Sequence, residues 1–177
     1  MIPNILSFFR IFSSVPIILL FYFQFYYFAL LLFLFAALTD FFDGLIARKL
    51  NQESDFGSLL DLIADKILVL SLLIWFVFIY DNFLIFISSY LIIMREIIIS
   101  SLRVNFLSKG VNLELIKPNF FGKFKTTFQM IAISLILISP SLNMKYFPFI
   151  STLLFLTALL SLASLQNYYS SWSKNEK

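Results

Sequence analysis

Apolar residues run through the chain in blocks of about twenty, interrupted by short polar stretches, and this pattern predicts helices that cross a membrane. From Ser7 to Arg48 no strong breaker intervenes except Pro16. A single helix of that length would reach about 63 Å at about 1.5 Å per residue, twice a hydrocarbon core, so the segment must fold back. The reversal is expected near Gln24 to Tyr27, where a polar residue and a tyrosine cluster suit the membrane interface. Expected spans are Ser7–Gln24, Phe28–Lys49, Gly57–Tyr80, Phe83–Leu107, Phe120–Ser139 and Tyr146–Tyr169. They are separated by Asn51–Asp55, a hinge at Asp81-Asn82, Ser108–Asn119 and Pro140–Lys145, and followed by a polar tail, Ser170–Lys177. The fold class is all-α, a six-helix integral membrane protein forming one domain over residues 1–177.

Positive residues test the topology, because they collect on the cytoplasmic side. Arg48 and Lys49, then Arg103, Lys109, Lys117, Lys123 and Lys125, then Lys174 and Lys177 flank alternate connections. The other connections hold only Lys145. Both termini are therefore expected in the cytoplasm. The first positive charge is as late as Arg10 and no small-residue cleavage site follows the first apolar run, so no secretory signal is expected.

Composition narrows the chemistry. Of 177 residues, 60% are hydrophobic and only 13% charged, about half the charge of a soluble domain. With no Cys and no His, thiol chemistry, imidazole bases, disulfides and the usual zinc sites are excluded. Any metal must sit on oxygen, and any base must be a carboxylate. The net charge of +3 is too small to indicate nucleic acid.

Four acids nonetheless fall within the apolar spans, at Asp40, Asp43, Asp61 and Asp65. Charge at membrane depth costs at least about 2.5 kcal/mol per residue and marks function. On helices, Asp40, Asp43, Gly44 and Ala47 occupy an arc of about 100°, and Gly57, Asp61 and Asp65 one of about 80°. The loop between them is short, which predicts antiparallel neighbours whose cytoplasmic ends bring the four carboxylates together. Uncompensated, these would repel; Mg²⁺ or Mn²⁺ resolves the repulsion, and two ions can share four aspartates. Such a pair suits phosphoryl transfer, and the small Gly44, Ala47 and Gly57 leave room for a nucleotide or diphosphate. Two other uses of the acids stay open: packing ion pairs with Arg48, Lys66 and Arg95, or an ion path through a cation transporter. The transporter reading leaves the glycine and alanine spacing unexplained. A nonenzymatic assembly protein would have no use for the acids at all.

The segment Asp40-Phe-Phe-Asp43-Gly44-Leu-Ile-Ala47-Arg48, eight residues, then Gly57-Ser-Leu-Leu-Asp61-Leu-Ile-Ala-Asp65 resembles the motif of the CDP-alcohol phosphatidyltransferase family at all eight fixed positions. The resemblance implies a six-helix membrane enzyme, usually a homodimer, that transfers a phosphatidyl group from a CDP-linked lipid to an alcohol and releases CMP. It implies Asp40, Asp43 and Asp61 as metal ligands, and Asp65 as both metal ligand and general base. Gly44, Ala47, Arg48 and Gly57 would line the cytidine diphosphate site.

Three further segments resemble the bacterial branch of the family that uses CDP-diacylglycerol and glycerol 3-phosphate: Ile2–Arg10, Arg95–Arg103 and Gly122–Met130. In the first, Asn4 and Arg10 would approach the nucleotide, although Pro3 and Asn4 are also ordinary helix-start residues and Arg10 could be an interfacial anchor. In the others, Arg95 and Arg103 lie eight positions apart and Lys123 and Lys125 open the fifth span at the same level. Such a cluster would hold the phosphate of an anionic acceptor. Arg103, Lys123 and Lys125 also satisfy the positive-inside rule by themselves, whereas Arg95 lies near mid-span. Other acceptors (phosphatidylglycerol, serine, an inositol phosphate) remain alternatives. Two departures from this branch stand out, Leu62 in place of the usual Pro and Ser7 in place of Thr; neither removes a ligand. The site is expected at the cytoplasmic face of the inner membrane.

Overall fold

The first reversal is built from backbone chemistry. In the computed structural model α1 (Ile2–Tyr22) runs through Pro16 and ends beside Gln24, whose φ of 66° is left-handed. The Phe25 N–H donates to the Leu20 carbonyl at 2.8 Å and the Gln24 N–H to the Phe21 carbonyl at 3.0 Å. These two bonds are a Schellman closure, which satisfies the last carbonyls of a helix and normally places glycine where Gln24 stands. Helix α2 (Tyr26–Leu50) then starts at once, so the expected break lies where the polarity pattern puts it.

The structure describes the backbone of residues 2–50, 55–108 and 120–175, and the side chains of 7–39, 60, 63–64, 66–102 and 125–165. Helix α3 (Asp55–Ile79) leads to α4 (Phe83–Ser108) through a short hinge. There the Asn82 Oδ1 accepts the Ile85 N–H at 3.1 Å, an N-cap three residues ahead. Helix α5 (Phe120–Ile138) is followed by two 3-10 turns, Ser139–Ser141 and Met144–Tyr146, and by α6 (Phe147–Asn175). The described residues thus form six α-helices and no strand. The polar loops expected at 51–54 and 109–119 lie outside them. One expectation is corrected: residues 170–175 continue α6 instead of forming a tail, because helical hydrogen bonding is satisfied within the backbone and does not require an apolar sequence.

Two compact units divide the chain, Met1–Ile79 with Ile133–Phe147, and Tyr80–Ala132 with Pro148–Lys177. In the first, α1 packs against both α2 and α3. Its inner faces carry Ile17 and Phe21 from α1, Ala29, Phe33 and Ala36 from α2, and Ala64, Leu68, Leu72 and Phe76 from α3, all buried. Alanines at these contacts let the helix backbones approach.

The exposed surface differs from that of a water-soluble protein, and charge is buried beside the apolar core. Phe12, Phe78 and Phe83 are 70–80% exposed, while Arg10, Glu96, Lys125, Gln129 and nine serines are buried. Several buried hydroxyls bond to carbonyls one turn back, as Ser13 does to Arg10 and Thr39 to Ala36, so the helix backbone satisfies them. This is the arrangement of a protein whose solvent is lipid. Phe83–Leu102 and Met144–Leu165, at 20 and 22 residues, are each long and apolar enough to cross a bilayer.

Candidate active site

The motif positions share faces with residues known to be buried. On α2, positions 40, 43 and 47 fall within about 60° of Ala36 at about 100° per residue, the side that also carries the buried Ala29, Phe33 and Thr39. On α3, positions 61 and 65 fall between Ala64 and Phe76, both buried. The side chains of Asn4, Asp40, Asp43, Gly44, Ala47, Arg48, Gly57, Asp61 and Asp65 themselves lie outside the described residues. Their helical backbone does not, and it puts the i, i+3 and i, i+4 positions of the motif in phase with the buried positions of the same helices.

Register fixes the height of each stripe. At one end of the unit the Phe21 ring meets Tyr26 (centroids 5.2 Å apart) and Phe76 (6.3 Å), and Tyr22 meets Trp75 (6.4 Å). Nearer the other end Phe9 meets Phe35 edge-on at 5.8 Å. Helix α2 therefore runs antiparallel to α1, and α3 parallel to it. Counting five residues from the Phe9–Phe35 pair brings Asp40 level with Asn4. Counting eleven back from the Phe21–Phe76 pair brings Asp65 level with Arg10. The aromatic end and the motif end of the unit are thus opposite, and Arg10, with 0% exposure, lies at the motif end. Full burial does not suit an interfacial anchor, which keeps its charged head in water; it suits a cation that balances acids.

A donor set of carboxylates alone, as the sequence leads one to expect at positions 40, 43, 61 and 65, would fit a hard divalent cation and no softer metal.

The second unit holds a separate charged cluster. Arg95 is the thirteenth of the 26 residues of α4, as deep in the helix as a residue can be. Its Nη1 donates to the Glu96 Oε1 at 2.9 Å, and Lys125 on α5 donates to the same oxygen. The Arg95 Nη2 donates to the Ser164 Oγ on α6 at 2.7 Å, and the Ser164 hydroxyl donates on to the Ser161 carbonyl at 2.8 Å. Three helices are thereby tied through one buried network. Of the four basic residues expected at an acceptor phosphate, the structure brings Arg95 and Lys125 together; the side chains of Arg103 and Lys123 lie outside the described residues. Sequence reasoning overlooked Glu96 and Ser164. The signal for Glu96 was available, since a second charge beside Arg95 at mid-span has to find a partner. None existed for Ser164, whose contact spans 69 residues of chain.

An all-helical membrane protein with paired aspartate stripes defines a class, and comparison with known proteins gives the family. Residues 1–165 match the model of the CDP-alcohol phosphatidyltransferases, and the chain belongs to that family. The family generally uses divalent metal ions. Over 175 residues the chain is 38% identical to the CDP-diacylglycerol–glycerol-3-phosphate 3-phosphatidyltransferase of Wigglesworthia glossinidia brevipalpis, covering 97% of this chain and 94% of that one. It is 35% identical to the protein of the same name from Salmonella typhimurium and 36% to that from Shigella flexneri, with 96% and 93% of the respective chains covered in each case. Its fold is similar to the apo crystal structure of Mycobacterium tuberculosis phosphatidylinositol phosphate synthase, with a TM-score of 0.71 and 18% identity over 96% of this chain and 87% of that one.

Proposed function

We propose that the protein transfers the phosphatidyl group of CDP-diacylglycerol to sn-glycerol 3-phosphate, giving phosphatidylglycerophosphate and CMP. The observation that carries this reading is full-length likeness, at 35–38% identity, to relatives named for that reaction, in a chain that also keeps every fixed position of the family's aspartate motif.

In this mechanism Asp40, Asp43, Asp61 and Asp65 would hold two Mg²⁺ or Mn²⁺ ions, which would supply charge neutralisation at the phosphate oxygens and the departing CMP. Asn4, Arg10, Gly44, Ala47, Arg48 and Gly57 receive the cytidine diphosphate portion, the small residues allowing the nucleotide close to the backbone. Arg95, Arg103, Lys123 and Lys125 receive the acceptor's phosphate, which orients its primary hydroxyl. Asp65 takes the hydroxyl proton as the oxygen forms its bond to the phosphatidyl phosphorus. The bond from that phosphorus to the bridging oxygen breaks, and CMP leaves with the electron pair. No covalent enzyme intermediate is required.

The chain acts as one six-span domain with both termini and the site at the cytoplasmic face of the inner membrane, as a homodimer. The test is turnover of CDP-diacylglycerol by the purified protein with Mg²⁺, while glycerol 3-phosphate, phosphatidylglycerol, serine and inositol phosphate compete as acceptors. Glycerol 3-phosphate is expected to dominate; preference for another acceptor would overturn the assignment. Full turnover in Asp65→Asn would remove Asp65 as the base.

A further inference from the structure

The buried acid of the second unit is the feature that the reaction scheme leaves unused. Glu96 offers a single oxygen, Oε1, to both Arg95 and Lys125. Two donors on one oxygen stand within roughly 6 Å of each other, since each charge-assisted bond is about 2.7–2.9 Å long. One phosphate group can bridge that separation. The Arg95 guanidinium is held at a second point, because its Nη2 donates to Ser164 at 2.7 Å and Ser164 is itself bonded to the Ser161 carbonyl.

Lys and Arg are the side chains with the most rotamer freedom to lose, and a pair left to wander would meet a phosphate poorly. Glu96 lies on the helix of one cation and reaches the other across to α5. The trio carries a net charge of +1, so the cations are compensated in the absence of ligand yet still attract a dianion. Helix packing alone does not call for such a trio, since apolar side chains of similar volume hold helices together as well or better.

We infer that Glu96 is a positioning residue for the acceptor's phosphate, fixing the spacing of the Arg95 guanidinium and the Lys125 ammonium through its shared oxygen, with Ser164 fixing the guanidinium plane. The inference rests on the reading that these two cations receive that phosphate.

Steady-state kinetics of the full-length protein in detergent micelles test it, with each substrate varied in turn. Glu96→Gln is expected to raise the KM for glycerol 3-phosphate at least tenfold, with the KM for CDP-diacylglycerol within twofold of wild type. Glu96→Asp, which restores the charge on a shorter arm, is expected to fall between the two. Ser164→Ala, which leaves all charges in place, is expected to raise the acceptor KM about three- to tenfold without lowering kcat more than twofold. An acceptor KM unchanged in Glu96→Gln, whatever happens to kcat, would reduce Glu96 to a structural ion-pair partner and overturn the inference. If Glu96→Gln does not accumulate in the membrane, Ser164→Ala decides by the same criterion. Arg95→Ala separates the two levels: an unchanged acceptor KM there sinks the acceptor-site reading and the inference together. A raised KM in Arg95→Ala, with none in Glu96→Gln and Ser164→Ala, sinks the inference alone.

Discussion

Replacing Arg10 is the sharpest probe of the aspartate site, because its burial and its register lead to a number. Arg10 has 0% exposure and shares the inner face of α1 with Ser7, Ser14 and Ile17. The helix packs on both motif-bearing helices, and the Phe21–Phe76 ring contact sets Arg10 level with Asp65. In the proposed site a cation at that height would serve the nucleotide's phosphates and offset the acids at once. Arg10→Met keeps an unbranched chain of similar length and removes the charge, so the lost quantity is at least one charge-assisted hydrogen bond, about 1.5–3 kcal/mol. At about 1.4 kcal/mol per factor of ten, kcat/KM for CDP-diacylglycerol should fall about 10- to 150-fold. Arg10→Lys, which keeps the charge and loses the planar fork, should fall between. The assay is initial rate against CDP-diacylglycerol in mixed micelles at saturating glycerol 3-phosphate, with thermal unfolding in the same detergent as the control for folding. If Arg10→Met keeps kcat/KM within twofold, Arg10 is an anchor or packing residue and its place at the nucleotide is wrong.

Further outcomes follow from the same contacts. Glu96→Gln leaves Arg95 and Lys125, whose side chains are only 11% and 3% exposed, without their shared acid, and should cost about 3–5 kcal/mol of stability. In a Lys125→Met background the same change should cost clearly less, and equal costs in a double-mutant cycle measured by denaturant titration would mean the pair is uncoupled. Gln24 is left-handed without being glycine, with φ 66°, a conformation that costs about 1–2 kcal/mol for a residue with a β-carbon. Gln24→Gly gives back about 0.5–1 kcal/mol in the unfolded chain, so a net gain of about 0.5–1 kcal/mol is expected as a higher midpoint in detergent, and a loss would contradict the Schellman closure. Chelation of divalent ions should abolish turnover, with Mg²⁺ or Mn²⁺ restoring it; activity that survives exhaustive chelation would remove the metal from the scheme.

The helices are legible in the sequence to within a few residues, and for a physical reason. In lipid each helix must close its own hydrogen bonds, so spans are long, apolar and separated by polar breaks that composition displays directly. The turn at Gln24 and the cap at Asn82 are local devices, set by residues within five positions of each other. The aspartate motif is legible because its spacing is helical, and the described buried positions of α2 and α3 share its phase. What sequence reasoning does not supply is which side chains meet between helices distant in the chain. Lys125 reads equally well as an obedient positive-inside residue, and only its contact with Glu96, 29 positions away, distinguishes it. Ser164 resembles any other hydroxyl of the last span until α6 is placed against Arg95.

The same contrast bears on which charges deserve a functional reading at all. A serine inside a membrane helix can be satisfied by its own backbone, as Ser13, Ser139 and Thr157 are, so a buried hydroxyl says little about ligands. A buried charge has no such recourse, since one carbonyl a turn back cannot neutralise it. Among the described residues the buried charges are Arg10, Glu96 and Lys125, with Arg95 close behind at 11% side-chain exposure. All four fall in the three segments that resemble the glycerol 3-phosphate branch of the family, and none lies in the apolar halves of α2, α3 or α6. Charges retained only for helix association would be expected wherever helices meet. Confinement of the described buried charges to these segments fits the proposed handling of phosphate: Arg10 lies at the motif end of its unit, and the Arg95–Glu96–Lys125 trio contains two of the cations proposed for the acceptor.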